Sequence, residues 1–401
     1  MKQSLSVQSN LDSLPYRGMT WDTIAVYLLL CLSGNTMWSL GNDVKHIYLL
    51  AFSLSFFFCL RKGIDRFKQA ITYIIFWVLL FCIQAPVCPY FNASSTLFYI
   101  IKISIAAFII CAVGKRFCET YFKVIYILSI ISLVFFTFNA FGVWFTPLVQ
   151  AYDRNSIFIH TQLVGSHGQS ILRNSGMFWE PGAFQGYIIL ALLPYIAKLD
   201  ELYHKKRKEM LIIAITLFTT YSTTAIFASF FVYILYLLLT KKMNLRMCVS
   251  FTAAFTIFSY ILFCVSAVSD KLGITGTSTD ILGGSRILPA TILFPKILEY
   301  PIFGHGFSNE AIVAANMKMC SGNGFIALLY FGGLLFTLAY FIVTYKCLSN
   351  SSNTRIALSF IIVIIVLLQG EGFLGYPLFW GIALFSSSLK EIYGFQRRQI
   401  L

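Results

Sequence analysis

Residues 205–246 read KKRKEMLIIAITLFTTYSTTAIFASFFVYILYLLLTKKMNLR, and the fold class follows from them. Taken as one α-helix at about 1.5 Å per residue, the apolar run 210–240 extends about 45 Å, well past a hydrocarbon core of about 30 Å. Lys205, Lys206, Arg207 and Lys208 precede it, and Lys241, Lys242 and Arg246 follow it. Basic flanks mark cytoplasmic loops, so both ends of the run belong on the same side. The chain is expected to go out and return, turning near Ser222, Thr223 and Thr224. This makes the protein an all-α integral membrane protein.

The same logic extends along the chain. Hydrophobic residues make up 58% and charged residues 11% of the sequence, with mean hydropathy +0.77, far from the roughly 25% charge of soluble domains. Apolar stretches at 23–40, 46–60, 71–88, 97–113, 124–145, 182–197, 247–268 and 323–345 are expected to be helices, because backbone groups in lipid must be bonded internally. Residues 355–390 form a second hairpin, with the polar, Gly-rich run Gln369–Pro377 as its outer turn. About twelve transmembrane helices result, with both termini cytoplasmic.

The expected organisation is a cytoplasmic segment 1–22, five helices over 23–145 and a large outer loop 146–181. Helices with a short hairpin occupy 182–268, followed by a second large outer loop 269–322, helices over 323–389 and a cytoplasmic tail 390–401. Of the 30 Lys and Arg, 22 fall in cytoplasmic segments and seven outside (Lys45, Arg154, Arg173, Lys271, Arg286, Lys296, Lys318), with Lys102 inside a helix. The mirror topology would reverse that split. The lead Met1–Asp22 holds Asp12 and Asp22 and no small-residue cleavage site, so no signal peptide is expected.

The net charge of +14 is spread in short clusters between apolar stretches, which argues against nucleic acid as a partner. The ten Cys show no metal-type spacing. Two large loops on one face point to work done on that face. In the first, Arg173-Asn-Ser-Gly-Met-Phe-Trp-Glu-Pro-Gly182 leads directly into an apolar helix, with Pro181 suited to the first helical position and Glu180 to the cap. A helix N-terminus there attracts anions, and Arg173 adds a fork suited to phosphate oxygens. The plainer reading is that Glu180 only caps, Trp179 only anchors at the interface and Arg173 only pairs with Glu180.

In the second loop, Gly283-Gly284-Ser285-Arg286 precedes a short apolar stretch that lies along the membrane surface, and Pro301-Ile-Phe-Gly-His-Gly306 follows. Glycines on both sides of His305 permit a tight turn that aims an imidazole into a site; an exposed loop histidine without a role is the alternative. Lys102, near the outer end of its helix, either snorkels outward or faces an anionic lipid head. The eight outer acids (Asp43, Asp153, Glu180, Asp270, Asp280, Glu299, Glu310, Glu371) include no Asp-x-Asp, and no His-x-x-x-His occurs outside, so no local metal site is expected. Arginines would then neutralise any phosphate.

The run Arg173-x-x-Gly176-x-x-x-Glu180-Pro181-Gly182-Ala183-Phe184 is followed by the cluster Thr219, Thr220, Ser222, Thr223, Thr224 and by Ser285-Arg286. Pro301-x-Phe303-Gly304-x-Gly306, Asn323-Gly324-Phe325 and Gly332-Gly333 come next. In this order the chain resembles bacterial O-antigen and capsule polymerases of the Wzy type and the related O-antigen ligases. The resemblance spans about residues 165–335; the first 160 match only in hydropathy.

It implies metal-independent, cofactor-free glycosyl transfer on the outer face of the bacterial inner membrane. A sugar chain on undecaprenyl diphosphate passes to a hydroxyl of a second lipid-linked repeat, releasing undecaprenyl diphosphate. Arg173 and Arg286 would hold the leaving diphosphate, and Glu180 or His305 would serve as base. Lys102, Ser222, Thr223 and Asn323 are the expected substrate-binding residues. The implied partners are the lipid-linked oligosaccharide, the bilayer and a chain-length regulator protein.

Where many relatives, ligases above all, carry His before the Asn, this chain has Ser321-Gly322-Asn323, which favours polymerase over ligase. A lipid-linked oligosaccharide flippase is the alternative from another class, but it would show repeated halves and polar groups deep in several helices. An intramembrane protease would need a Ser and a His at matching depth, which the sequence does not offer.

Overall fold

A computed structural model describes residues 20–37, 44–143, 145–151, 154–163, 172–240, 288–315 and 323–394. The expected span 247–268, Arg286 and Ser321 lie outside the described residues. In chain order the helices are α1 (Trp21–Leu32), α2 (Val44–Arg61), α3 (Ile64–Gln84), α4 (Ala93–Val113) and α5 (Phe117–Ala140). A three-stranded antiparallel sheet follows: β1 (Val149–Ala151), β2 (Arg154–Ile157) and β3 (His160–Leu163), in that order. Then come α6 (Pro181–Leu192), α7 (Leu199–Lys205), α8 (Arg207–Thr219), α9 (Thr223–Thr240), α10 (Leu288–Glu299), α11 (Asn309–Ala314), α12 (Gly324–Ser349), α13 (Thr354–Gly370) and α14 (Ser386–Tyr393).

Five described helical runs are long and apolar enough to cross a membrane, and α1, α13 and the part of α9 from Ile226 to Thr240 are shorter apolar helices. With Leu49, Leu50, Leu54, Phe57, Ile75, Leu79 and Ile83 exposed on α2 and α3, the chain is a multi-pass membrane protein. The longest run, Ala93–Ala140, has 48 residues and would measure about 72 Å as one rod. Gly114, at φ +64°, breaks it into α4 and α5, and Arg66 Nη1 holds the break by donating to the Ala112 carbonyl (2.5 Å). Helix starts are set by side-chain caps: Thr20 to Thr23 N, Asn92 to Ser95 N and Asn323 to Ile326 N.

One feature departs from the all-helical expectation, and the turn expected near Ser222, Thr223 and Thr224 is present with its limbs apart. The loop 146–181 contains the small sheet, whose inner face bonds Ser156 Oγ to Thr161 Oγ1 (3.0 Å) and Thr161 Oγ1 to Thr36 Oγ1 (2.7 Å). Polar β-branched residues and short strands do not give a readable alternation at this length. The run 210–240 breaks between Thr219 and Thr223, around Tyr221 at φ +43°. Its two limbs do not form a packed hairpin: α8 lies on α5, α9 on α13, and α6 touches both.

Basic residues gather at one end. Lys62 pairs with Asp22 (2.6 Å), Lys115 with Glu391 (3.7 Å) and Lys205 with Glu201 (3.2 Å), and Lys198 Nζ donates to the Ile392 carbonyl (2.7 Å). The opposite end holds Gln84–Asn92, Arg173–Pro181, Tyr221, Gly304–Gly306 and Glu371–Tyr376. It is tied by Asn92 to Glu310 (3.1 Å), Tyr90 N to the His305 carbonyl (3.1 Å) and Trp179 stacked on Tyr376 (4.4 Å). By the positive-inside rule this second end is expected to face out. In a background without native Cys, cysteines at Ser166 and Ser278 should react with an impermeant maleimide in intact spheroplasts, and one at the exposed Lys208 only after permeabilisation. The reverse pattern would overturn the orientation.

Candidate active site

The arginine loop is built onto the end of α8. Asn174 is buried; its Nδ2 donates to Thr219 Oγ1 (3.0 Å) and Ser132 Oγ (3.2 Å), while its backbone N–H donates to the Thr219 carbonyl (2.9 Å). Asn174 Oδ1 in turn accepts from Gly176 N (3.0 Å), closing a tight turn at φ +56° against the Phe184 ring. These bonds fix the neighbouring Arg173, half-buried, whose Nε donates to the Thr220 carbonyl (3.2 Å). Two motifs 45 residues apart, Arg173–Gly176 and the Thr cluster, are therefore one unit.

Pro181 occupies the first turn of α6 and Glu180 the N-cap, with extended φ −149°, but the Glu180 side chain makes no capping hydrogen bond. Glu180 is half-buried. Trp179 lies on the Gly34 backbone and stacks on Tyr376, a packing role rather than an interfacial one.

Glu371, which the sequence offers only as one of the outer acids, lies within the site. It is 4% exposed and sits between the starts of α6 and α12: a Cβ on Gly182 would run into its Oε1, and one on Gly324 into its carbonyl. The start of α6 thus approaches the buried carboxylate, which a helix N-terminus favours as an anion, while the start of α12 meets the Glu371 backbone. The only signal was the pair of glycines at those helix starts. Beside it, Asn323 Nδ2 donates to Gln369 Oε1 (2.7 Å), and Gly370 abuts Thr224. Ser222 is buried, and its carbonyl accepts from Ile226 N, while Thr223 opens α9. Lys102 reaches the same turn: its Nζ donates to the Gly375 carbonyl (2.8 Å) above the rings of Phe98 (4.5 Å) and Tyr99 (4.8 Å).

His305 is placed differently from the expectation of an exposed loop imidazole. It is 2% exposed, stacked on Tyr330 (4.2 Å) and edge-on to Tyr300 (5.1 Å), with Nε2 3.7 Å from Glu299 Oε2. Burial lowers its pKa from the usual imidazole value, which keeps it neutral near pH 7. Its flanking glycines serve a backbone joint. His305 N donates to the Tyr330 carbonyl (2.8 Å), Gly306 N to Phe331 (3.0 Å), Leu334 N to Pro301 (2.9 Å) and Leu335 N to Ile302 (2.9 Å). Gly333, at φ +62°, kinks α12 to receive this segment, and a Cβ on Gly304 would stand 2.5 Å from Gly333 N. The Gly304-x-Gly306 and Gly332-Gly333 motifs are the two halves of one joint.

A second polar cluster lies between the sheet and α5. Asn139 Nδ2 meets His160 Nε2 (3.0 Å), and Phe135 stacks on the imidazole (4.9 Å). His160 Nδ1, Asn139 Oδ1, Asn155 Oδ1 and Gln162 Nε2 are buried without a hydrogen-bond partner. Each unmade bond costs about 1–3 kcal/mol. Burial pushes the His160 pKa down to about 4, so the ring is neutral.

The structure thus brings Arg173, Glu180, Ser222, Thr223, Asn323 and Lys102 to one end, connected through Thr220, Gly370, Glu371 and Gly375, with His305 at the same end in its own aromatic setting. Against known families, residues 210–325 match the family model described as O-antigen ligase. That stretch is O-antigen ligase-like. The match covers less than half of the chain and is consistent with the O-antigen ligase-related superfamily. The O-antigen ligase-like stretch holds Ser222, Thr223, Arg286, His305 and Asn323; Lys102, Arg173 and Glu180 lie outside it. No curated protein matches the chain.

Proposed function

We propose that the protein is a polymerase that joins undecaprenyl-diphosphate-linked oligosaccharide repeats on the outer face of the inner membrane. The observation that carries the reading is the locking of Arg173 to Thr220, at the helix break near the start of the O-antigen ligase-like stretch. A fixed guanidinium beside a helix start is the preorganised charge that a departing diphosphate requires. The acceptor hydroxyl oxygen attacks the anomeric carbon of the donor chain, and the bond from that carbon to the diphosphate oxygen breaks. The hydroxyl proton passes to a base, and the diphosphate leaves carrying the electron pair.

Glu180 suits the base better than His305. Its side chain is half-exposed at the start of α6, whereas His305 is enclosed by tyrosines and its backbone forms the joint on α12. In this scheme Arg173 and Arg286 carry the charge stabilisation without a metal, and Lys102 and Asn323 hold the Gln369–Gly375 turn that borders the substrate. A chain-length regulator is a fitting partner for such an enzyme. The ligase reading shares the family model's description, but Ser321 stands where ligases commonly place His, which favours the polymerase.

A deletion strain separates the two. Loss of a polymerase leaves single repeats for the ligase, so gels of surface polysaccharide should show a core capped with one unit. Long polymer stranded on lipid diphosphate in that strain would make the protein the ligase instead.

A further inference from the structure

The face of the small sheet turned towards α5 carries buried polar atoms without partners, of both donor and acceptor kind. In the register, Asn155 pairs with Gln162 and Ile157 with His160, which places Asn155, His160 and Gln162 on one face; Ser156 and Thr161 point the other way, onto Thr36. Asn139 of α5 approaches the same face through His160. The unpartnered atoms are mixed in kind. Gln162 Nε2 is a donor and Asn139 Oδ1 and Asn155 Oδ1 are acceptors. With Asn139 Nδ2 donating to Nε2, His160 Nδ1 carries the ring proton and donates. Exchanging the two ends of the Asn139 amide would leave both kinds present.

The mixture decides the ligand class. A phosphate or carboxylate asks for donors alone and a cation for acceptors alone; a sugar hydroxyl gives and takes at once. Aromatic walls suit the apolar faces of a pyranose, and Phe135 packs against His160 with Phe145 beyond it (4.8 Å). Position adds the second argument. Thr161, next to His160, donates from N to the Gly176 carbonyl (2.6 Å) and accepts on its own carbonyl from Ser175 Oγ (2.7 Å). The sheet is therefore bonded directly to the loop that carries Arg173.

We propose that Asn139, Asn155, His160 and Gln162 form a subsite for a neutral sugar of the lipid-linked chain, adjoining the place where Arg173 holds its diphosphate. This rests on the polymerase reading for the identity of the chain and deepens it by naming residues that read the glycan. The subsite would discriminate between repeat units, because a site built to bond hydroxyls rejects sugars that leave its buried groups unmet.

The test uses the full protein in nanodiscs and two probes: repeat oligosaccharide released by mild acid from the same strain's surface polysaccharide, and undecaprenyl diphosphate. Gln162→Leu and Asn155→Leu should weaken oligosaccharide binding about tenfold or more and leave undecaprenyl diphosphate affinity unchanged, and Arg173→Ala should do the converse. If Gln162→Leu fails to accumulate, Gln162→Glu removes the amide donor at constant size. Oligosaccharide affinity equal to wild type in these variants would show that the cluster holds ordered water only and would overturn the subsite. Wild type that binds the lipid diphosphate but not the oligosaccharide would also overturn it while sparing the polymerase reading. Oligosaccharide binding that the leucine variants abolish, with no lipid diphosphate binding at all, would keep the subsite and remove the polymerase. If neither probe binds wild type, both fall.

Discussion

Arg173→Ala is expected to abolish polymer on the cell surface while the protein remains in the membrane. The guanidinium is held by Thr220, and the loop beneath it by Asn174, Ser132 and Thr219, so under the proposed polymerase reading its charge is in place before the glycosidic bond breaks. Loss of one preorganised group of this kind typically lowers a rate by about 10²–10³-fold. Arg173→Lys should restore short chains at most, because an ammonium keeps the charge but not the planar fork. Gel analysis of surface polysaccharide beside an immunoblot of membranes gives both readouts. Wild-type chain lengths in Arg173→Ala would remove the residue from the mechanism.

The second large effect is on stability. Gly304→Ala and Gly333→Ala each place a Cβ 2.5 Å from the other glycine's backbone nitrogen, at φ +69° and +62°. Backbone cannot swing aside as a side chain can, and the left-handed conformation adds about 1–3 kcal/mol of strain. Each variant should lose about 3 kcal/mol or more of stability and melt well below wild type in detergent. Gly375→Ala is the control, with no positive φ and nothing within 4 Å of its Cβ. If Gly304→Ala melts like Gly375→Ala, the joint does not hold the fold together.

The parts of the fold that depend on bilayer thickness and local chemistry could be read from residue types. Pro181 marks a helix start, and a 31-residue apolar run at 210–240 cannot be one crossing. What separates α8 from α9 was not readable, because the splay is set by α6 lying between α5 and α9, a tertiary matter. The site divides in the same way. Arg173 and the Thr cluster could each be picked out by motif, but their direct bonding depends on Asn174, whose amide looks like any loop amide. Glu371 was hidden because its importance comes from the space left by Gly182 and Gly324, and an absent side chain carries little signal. His305 stands out in the sequence as a rare titratable residue between glycines, yet those glycines serve a backbone crossing with α12.

The helices that carry no motif hold the ones that do. Gln84 Nε2, at the end of α3, donates to the carbonyls of both Phe303 (2.5 Å) and Phe331 (2.8 Å). It thereby clamps both strands of the glycine joint from outside. Tyr90 N donates to the His305 carbonyl (3.1 Å), Asn174 N to that of Thr219 (2.9 Å) and Arg173 Nε to that of Thr220 (3.2 Å). The stretch that matches a known family is therefore not autonomous. Transplanted onto foreign N-terminal helices, it would arrive with orphaned carbonyls in an apolar medium that supplies no substitute donors, so ancestry can be detected in one third of the chain while foldability belongs to the whole.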